Sequence, residues 1–214
     1  MSKVLQSEIL EHLETTLVEK LSTYELFQNS QVNSSPRAIG DTVQEVIGEI
    51  LPECFPEGII HGFRADFPRR SMEDVAFYDE DENYYAVDIK THNLSTDFNM
   101  PNLISAERLS RFYKEKQKYF VILLVEYTVV EGCLTFEKAQ FVPIEHLEWS
   151  CLRIGALGWG QIQIANSNKI DVNRDNTRAE WMTTLCDTMD GFYLNEMNKI
   201  AKRKKHFQTL RKSL

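Results

Sequence analysis

The stretch Asp74-Val-Ala-Phe-Tyr-Asp-Glu-Asp-Glu-Asn-Tyr-Tyr-Ala-Val-Asp88-Ile-Lys90 decides how this chain is read. Two runs rich in apolar and aromatic residues, 75–78 and 84–89, flank the polar segment 79–83, which suits a turn. The pattern predicts an antiparallel β-hairpin. With those five residues as the loop, Tyr78 faces Tyr84, Ala76 faces Ala86 and Asp74 faces Asp88. Directly opposed side chains lie about 5 Å apart at Cβ, and like charges there destabilise a sheet unless something such as a divalent cation offsets them. Side chains alternate along a strand, so Lys90 shares the face of Asp88 while Val87 and Ile89 point the other way. One face of the hairpin is apolar; the other carries two carboxylates and an ammonium.

An Asp-x-Lys triplet alone turns up about once in a chain of this length, so its surroundings carry the weight. The polar run Thr91-His92-Asn93 ends the strand abruptly, and the next apolar segment, 119–125, reads as a fully buried strand that would partly enclose the charged face. Upstream, Leu10, Leu13, Leu17, Leu21 and Tyr24 lie on one stripe of an opening helix, either core or a dimer seam, and a second helix is expected over 41–51. Downstream, Pro101 and residues 106–118 read as a helix crossing to a strand over 119–127, and Gly132 turns the chain into a partner strand over 134–142. Thr177 and Glu180 form a capping box for a last helix whose apolar stripe is Trp181, Leu185, Met189, Phe192 and Ile200. The expected architecture is an α/β sandwich, a mixed β-sheet flanked by helices.

At 214 residues and 43% hydrophobic content the chain can build one sizeable core, and no linker or repeat marks a second. We expect a single domain over 1–214, with 1–27 as opening helix and possible dimer element and 177–214 as C-terminal helix and basic tail. Cys54, Cys133, Cys151 and Cys186 are scattered without a Cys-x-x-Cys pair or a signal-like apolar span ahead of them, which predicts reduced thiols in a cytoplasm. The five histidines lack zinc-site spacing. A net charge of −8 argues against general affinity for nucleic acid. Its distribution is uneven: Arg64, Arg69 and Arg70 precede the first aspartate, and the tail carries Lys199, Lys202, Arg203, Lys204, Lys205, Arg211 and Lys212 without one carboxylate.

Residues 73–112, and within them Val-Asp-Ile-Lys-Thr-His-Asn at 87–93 and Pro-Asn-Leu-Ile-Ser-Ala at 101–106, resemble the HincII-type restriction endonucleases of the PD-(D/E)xK nuclease superfamily. Asn-Thr-Arg-Ala-Glu-Trp at 176–181 extends the likeness, in the same order and with similar spacing. The resemblance implies a restriction-endonuclease-like fold and a Mg²⁺-dependent homodimer that cuts double-stranded DNA at a short palindrome, with a cognate DNA methyltransferase as functional partner. It matches Asp74 and Asp88 to the metal-binding aspartates and Lys90 to the catalytic lysine. Glu73 stands where the superfamily's namesake proline would be, a departure this branch tolerates. The family also places a glutamate on an early helix; here Gln44 holds the aligned position, with Glu45 beside it and Asp41 one turn earlier, and Glu45 is favoured.

Phosphodiester hydrolysis needs an attacking hydroxide, a stabilised transition state and a leaving oxygen whose charge is met. Mg²⁺ can lower the pKa of water and neutralise phosphate, and hard oxygen ligands suit it: the two carboxylates, the Ile89 carbonyl and waters. Lys90 would act electrostatically or help to orient and deprotonate the water. For DNA contact, Thr91, His92 and Asn93 form a polar rim, while Asn99 and Asn102 belong to a segment between strand and helix from which asparagine can read adenine in the major groove. The resemblance supports Asn102 in that role. Residues 155–161 offer a second reading loop, in which Gly158 permits close backbone approach and Gln161 supplies an amide, unless Trp159 packs inward and the loop is ordinary surface. A structure-specific repair or junction-resolving nuclease of the same fold and a non-catalytic DNA-binding module are the alternatives.

Overall fold

The computed structural model describes residues 2–29, 35–68, 70–96, 101–130, 133–165 and 170–214. Three helices, α1 (Ser7–Thr23), α2 (Glu25–Asn29) and α3 (Pro36–Ile50), precede the strands β1 (Ile60–Arg64), β2 (Val75–Asp79), β3 (Tyr84–Asn93) and β4 (Asn102–Ser105). Helix α4 (Ala106–Phe112) leads into β5 (Lys118–Val130), β6 (Cys133–Pro143), β7 (Leu152–Gly155) and β8 (Gln161–Ile164), and α5 (Arg178–Ser213) closes the chain.

The hairpin of β2 and β3 forms in the expected antiparallel register, with Ala76 opposite Ala86 and Tyr78 opposite Tyr84. Its turn is closed by Asp79, whose carboxylate accepts the amides of Asp81 (3.0 Å) and Asn83 (2.9 Å) and the hydroxyl of Ser2 (2.5 Å). A five-stranded sheet runs β1-β2-β3-β5-β6, parallel only where β3 meets β5, so it is mixed. That parallel pair needs a crossover, which β4 and α4 supply. Residues 120–125 of β5 are all buried because both faces of the sheet are covered.

One face of the sheet presents Phe77, Tyr85, Val87, Ile89, Val121 and Leu123 to Leu10, Leu13, Leu17 and Leu21 of α1 and to Val43 and Ile47 of α3. The leucine stripe of the opening helix is therefore core and is not left over as a dimer seam. The opposite face presents Ala86, Phe120, Ile122, Leu124 and Val142 to Leu109 of α4, to Ile162 and Ile164 of β8, and to Trp181 and Leu185 of α5. A second, antiparallel sheet of order β4-β8-β7 lies in this layer.

Several boundaries differ from the sequence reading. The segment after Pro101 is a strand, and α4 starts only where the Ser105 hydroxyl accepts the Arg108 amide (3.1 Å). That helix ends at Phe112, not at residue 118, because Tyr113 turns inward to a buried partner, Glu145. Helix α3 starts at Pro36 instead of Asp41, where Ser35 caps it through the Ala38 amide. The capping box of α5 is present, but its apolar stripe does not continue into the core: Ile200 is 58% exposed. Gly132 lies outside the described residues. Among the described residues no helix is long and apolar enough to cross a membrane.

Candidate active site

Strand β3 carries Asp88 and Lys90 two residues apart, on the face that also bears Ala86. Asp88 is 8% exposed. Its Oδ1 accepts Lys90 Nζ at 2.6 Å, while its buried Oδ2 has no hydrogen-bond partner among the described residues. Burial pushes the Asp88 carboxyl up to about 7 despite the attraction of Lys90, and the charge of Asp74 adds to the rise.

Asp74 sits just before β2, where its amide donates to the Val87 carbonyl (2.8 Å). Its Oδ2 accepts the Ile89 amide at 2.7 Å and its Oδ1 accepts Gln44 Nε2 at 2.9 Å. Burial raises its pKa too, opposed by the Ile89 amide and Lys90. The fold thus brings Asp74, Asp88 and Lys90 together. Of the two neighbours on α3, Gln44 is the one that holds Asp74; Glu45 is exposed and lines a cavity of about 680 Å³ shared with Arg37, Asp41, Glu49 and Asp74.

A buried carboxylate, one oxygen of which lacks a partner among the described residues, beside the half-buried carboxylate of Asp74 fits a small hard cation. Among the described residues no group of three or more His, Cys, Asp and Glu side chains is placed to hold a metal. A cation here would rest on Asp74 and Asp88 and complete its shell with the Ile89 carbonyl and water, which suits Mg²⁺ because that ion keeps several waters.

The polar rim is occupied within the fold. His92 is buried, its Nε2 3.2 Å from the Thr96 carbonyl and its Nδ1 3.6 Å from Glu126. Asn93 accepts the Ser95 amide through its side chain and so shapes the turn after β3. Thr91 faces α3, its hydroxyl 3.1 Å from where a Cβ on Gly40 would stand.

Asn102 opens β4 in an exposed position, where its Oδ1 accepts Gln163 Nε2 at 2.5 Å. Gln163 was not among the sequence candidates, although the alternation Gln161-Ile-Gln-Ile164 places both glutamines on one face of a short strand. Gln161 is half-buried and pairs with Gly155 and Ser105, and Gly158 stands at the hairpin tip with φ of 58°. Trp159 is 60% exposed, so it does not pack inward. Asn99 and Arg69 lie outside the described residues.

A third polar cluster escaped the sequence reading. Glu145 is buried: its Oε1 accepts Arg178 Nε (2.9 Å) and Nη2 (2.8 Å), its Oε2 accepts the Tyr113 hydroxyl (2.5 Å), and the guanidinium stacks 4.1 Å from the Tyr113 ring and 4.7 Å from that of Tyr119. This cluster ties the start of α5 to the sheet and is separate from the carboxylate site. Neither a protein-family model nor a curated protein matches the chain.

Proposed function

We propose that this chain is a Mg²⁺-dependent deoxyribonuclease with a restriction-endonuclease-like fold, a Type II restriction enzyme of the HincII-like branch that cuts double-stranded DNA at a short palindrome. The observation that carries the reading is the buried Asp88, with one oxygen on Lys90 and the other without a hydrogen-bond partner among the described residues, beside Asp74 on a hairpin strand that continues into a buried parallel pair. Bound Mg²⁺ would supply Lewis acidity toward phosphate and water. Asp74, held by Gln44 and the Ile89 amide, would offer its carboxylate to the same cation as Asp88. Lys90 is held 2.6 Å from Asp88 and brings an ammonium to where an attacking water and a scissile phosphate oxygen would meet, stabilising the charge that builds there. Asp41, Glu45 and Glu49 make the flanking cavity acidic, so metal binding must precede a polyanion's approach. Asn102, with Gln163 fixing its amide, is the candidate base reader. A homodimer would present two such sites to the two strands of a palindrome.

The test is digestion of a linear phage genome by the purified protein in Mg²⁺, with EDTA and Asp88→Ala controls. Discrete bands that require both the metal and Asp88 support a sequence-specific endonuclease. Cutting confined to branched substrates would replace restriction with structure-specific cleavage, and DNA binding without any cutting would replace the nuclease with a binding module.

A further inference from the structure

Helix α5 is 36 residues long, about 54 Å, but its packing ends well before the helix does. Trp181 and Leu185 are buried in the core. A Cβ on Gly160 would stand 2.8 Å from Met189, and the Tyr193 hydroxyl donates to the Trp159 carbonyl at 2.6 Å, so this middle turn of α5 rests on the loop between β7 and β8. Beyond it every residue of 197–214 is exposed. Those residues carry Lys199, Lys202, Arg203, Lys204, Lys205, Arg211 and Lys212 and no acidic side chain, in a chain whose net charge is −8. Lys199 stands one turn from Lys202 and Arg203, and Lys202 one turn from Lys205, spacings at which like charges destabilise a helix. An anionic partner would offset this repulsion and so stabilise the exposed end of the helix.

We propose that residues 197–214 form an arm that grips the phosphate backbone of duplex DNA beside the β7–β8 hairpin. The arm leaves the fold just past Tyr193, which rests on the loop that precedes β8, the strand whose Gln163 binds Asn102. This rests on the nuclease reading of the carboxylate site. Pairing with the same arm of a second copy is disfavoured by the sequence. Met197, Ile200, Phe207, Leu210 and Leu214 share one side of the arm, but Arg203, Lys204 and Arg211 stand among them and would bring like charges into the seam. Phosphates along a duplex complement the arm's net positive charge instead.

The test uses the full chain and a variant carrying Lys202→Gln, Arg203→Gln, Lys204→Gln and Lys205→Gln, all exposed and outside the core. Binding to 12-bp and 30-bp duplexes is followed by fluorescence anisotropy in Ca²⁺ from 50 to 200 mM KCl, with thermal melting as a folding control. For the 30-bp duplex, the slope of log K against log salt should fall in magnitude by about 2, because successive helical side chains point about 100° apart and about two of the four can meet one duplex, at about 0.9 for each phosphate no longer neutralised, and affinity should drop at least about tenfold at the lowest salt. A variant with every change made to Lys or Arg should keep the wild-type slope. Equal slopes for wild type and the glutamine variant would overturn the arm, as would loss of self-association in sedimentation with DNA binding unchanged. If both proteins cut phage DNA into the same bands with equal slopes, the nuclease reading stands and the arm alone fails. If the wild type binds neither duplex and cuts nothing, the nuclease reading itself has failed.

Discussion

Replacing Asp88 by Asn isolates the energetic consequence of burying a carboxylate where a metal would go. Raising its pKa from 3.8 to about 7 means that ionising Asp88 in the folded, metal-free protein costs about 4 kcal/mol relative to the unfolded chain. The sign follows from proton counting. Between these two values the folded state holds more protons than the unfolded state, so stability falls as pH rises from about 4 and levels off above about 7. Of the total, about 3 kcal/mol should appear between pH 5 and pH 8. The carboxamide of Asp88→Asn does not titrate, and whatever it costs to leave Lys90 without its anion is constant over that range. Urea unfolding of the two proteins in EDTA should therefore show the variant gaining about 3 kcal/mol on the wild type from pH 5 to pH 8, which for a chain of this size is about 6–12 °C in Tm. Adding Mg²⁺ at pH 8 should stabilise the wild type and leave the variant unchanged, because only the wild type offers two carboxylates to the ion. A stability gap that stays constant with pH would refute the burial argument, and equal Mg²⁺ stabilisation of both proteins would refute the metal assignment.

Three further substitutions separate the parts of the molecule. Lys90→Ala should lower single-turnover cleavage by about 10²–10³-fold while leaving DNA binding in Ca²⁺ intact, which gel shift and quenched-flow measurements would report separately. Glu145→Ala leaves the partly buried Arg178 guanidinium without its carboxylate and should cost about 1–3 kcal/mol in thermal unfolding without altering metal affinity. Asn102→Ala should weaken cognate DNA binding by about 1–3 kcal/mol and relax the preference at one base position, with little effect on unrelated duplexes.

The hairpin register was legible because a polar turn of fixed length separates two alternating runs, and pairing Tyr78 with Tyr84 then sets every pair back to Val75 and Val87. The buried run of β5 and the capping box of α5 were legible for the same kind of local reason. What failed depended on long-range partners. Residues 102–105 are too few to show a period, and they become a strand because β8 pairs with them. Tyr113 leaves the helical path for Glu145, a residue with no local signal. At the site, alternation placed Asp88 and Lys90 on one face, but the choice between Gln44 and Glu45 turned on the rotation of α3 against Asp74. His92 and Asn93 looked like a rim because polar residues ending a strand read as surface, whereas the turn over residues 94–96 covers His92.

The most direct test of the account is the scission of supercoiled plasmid DNA by wild type and Asp88→Asn, each in Mg²⁺ and in EDTA. Nicked and linear products should form from the wild type in Mg²⁺ alone, and none from the variant under either condition. Cleavage by Asp88→Asn at the wild-type rate, or plasmid left intact by the wild type in Mg²⁺, would contradict it.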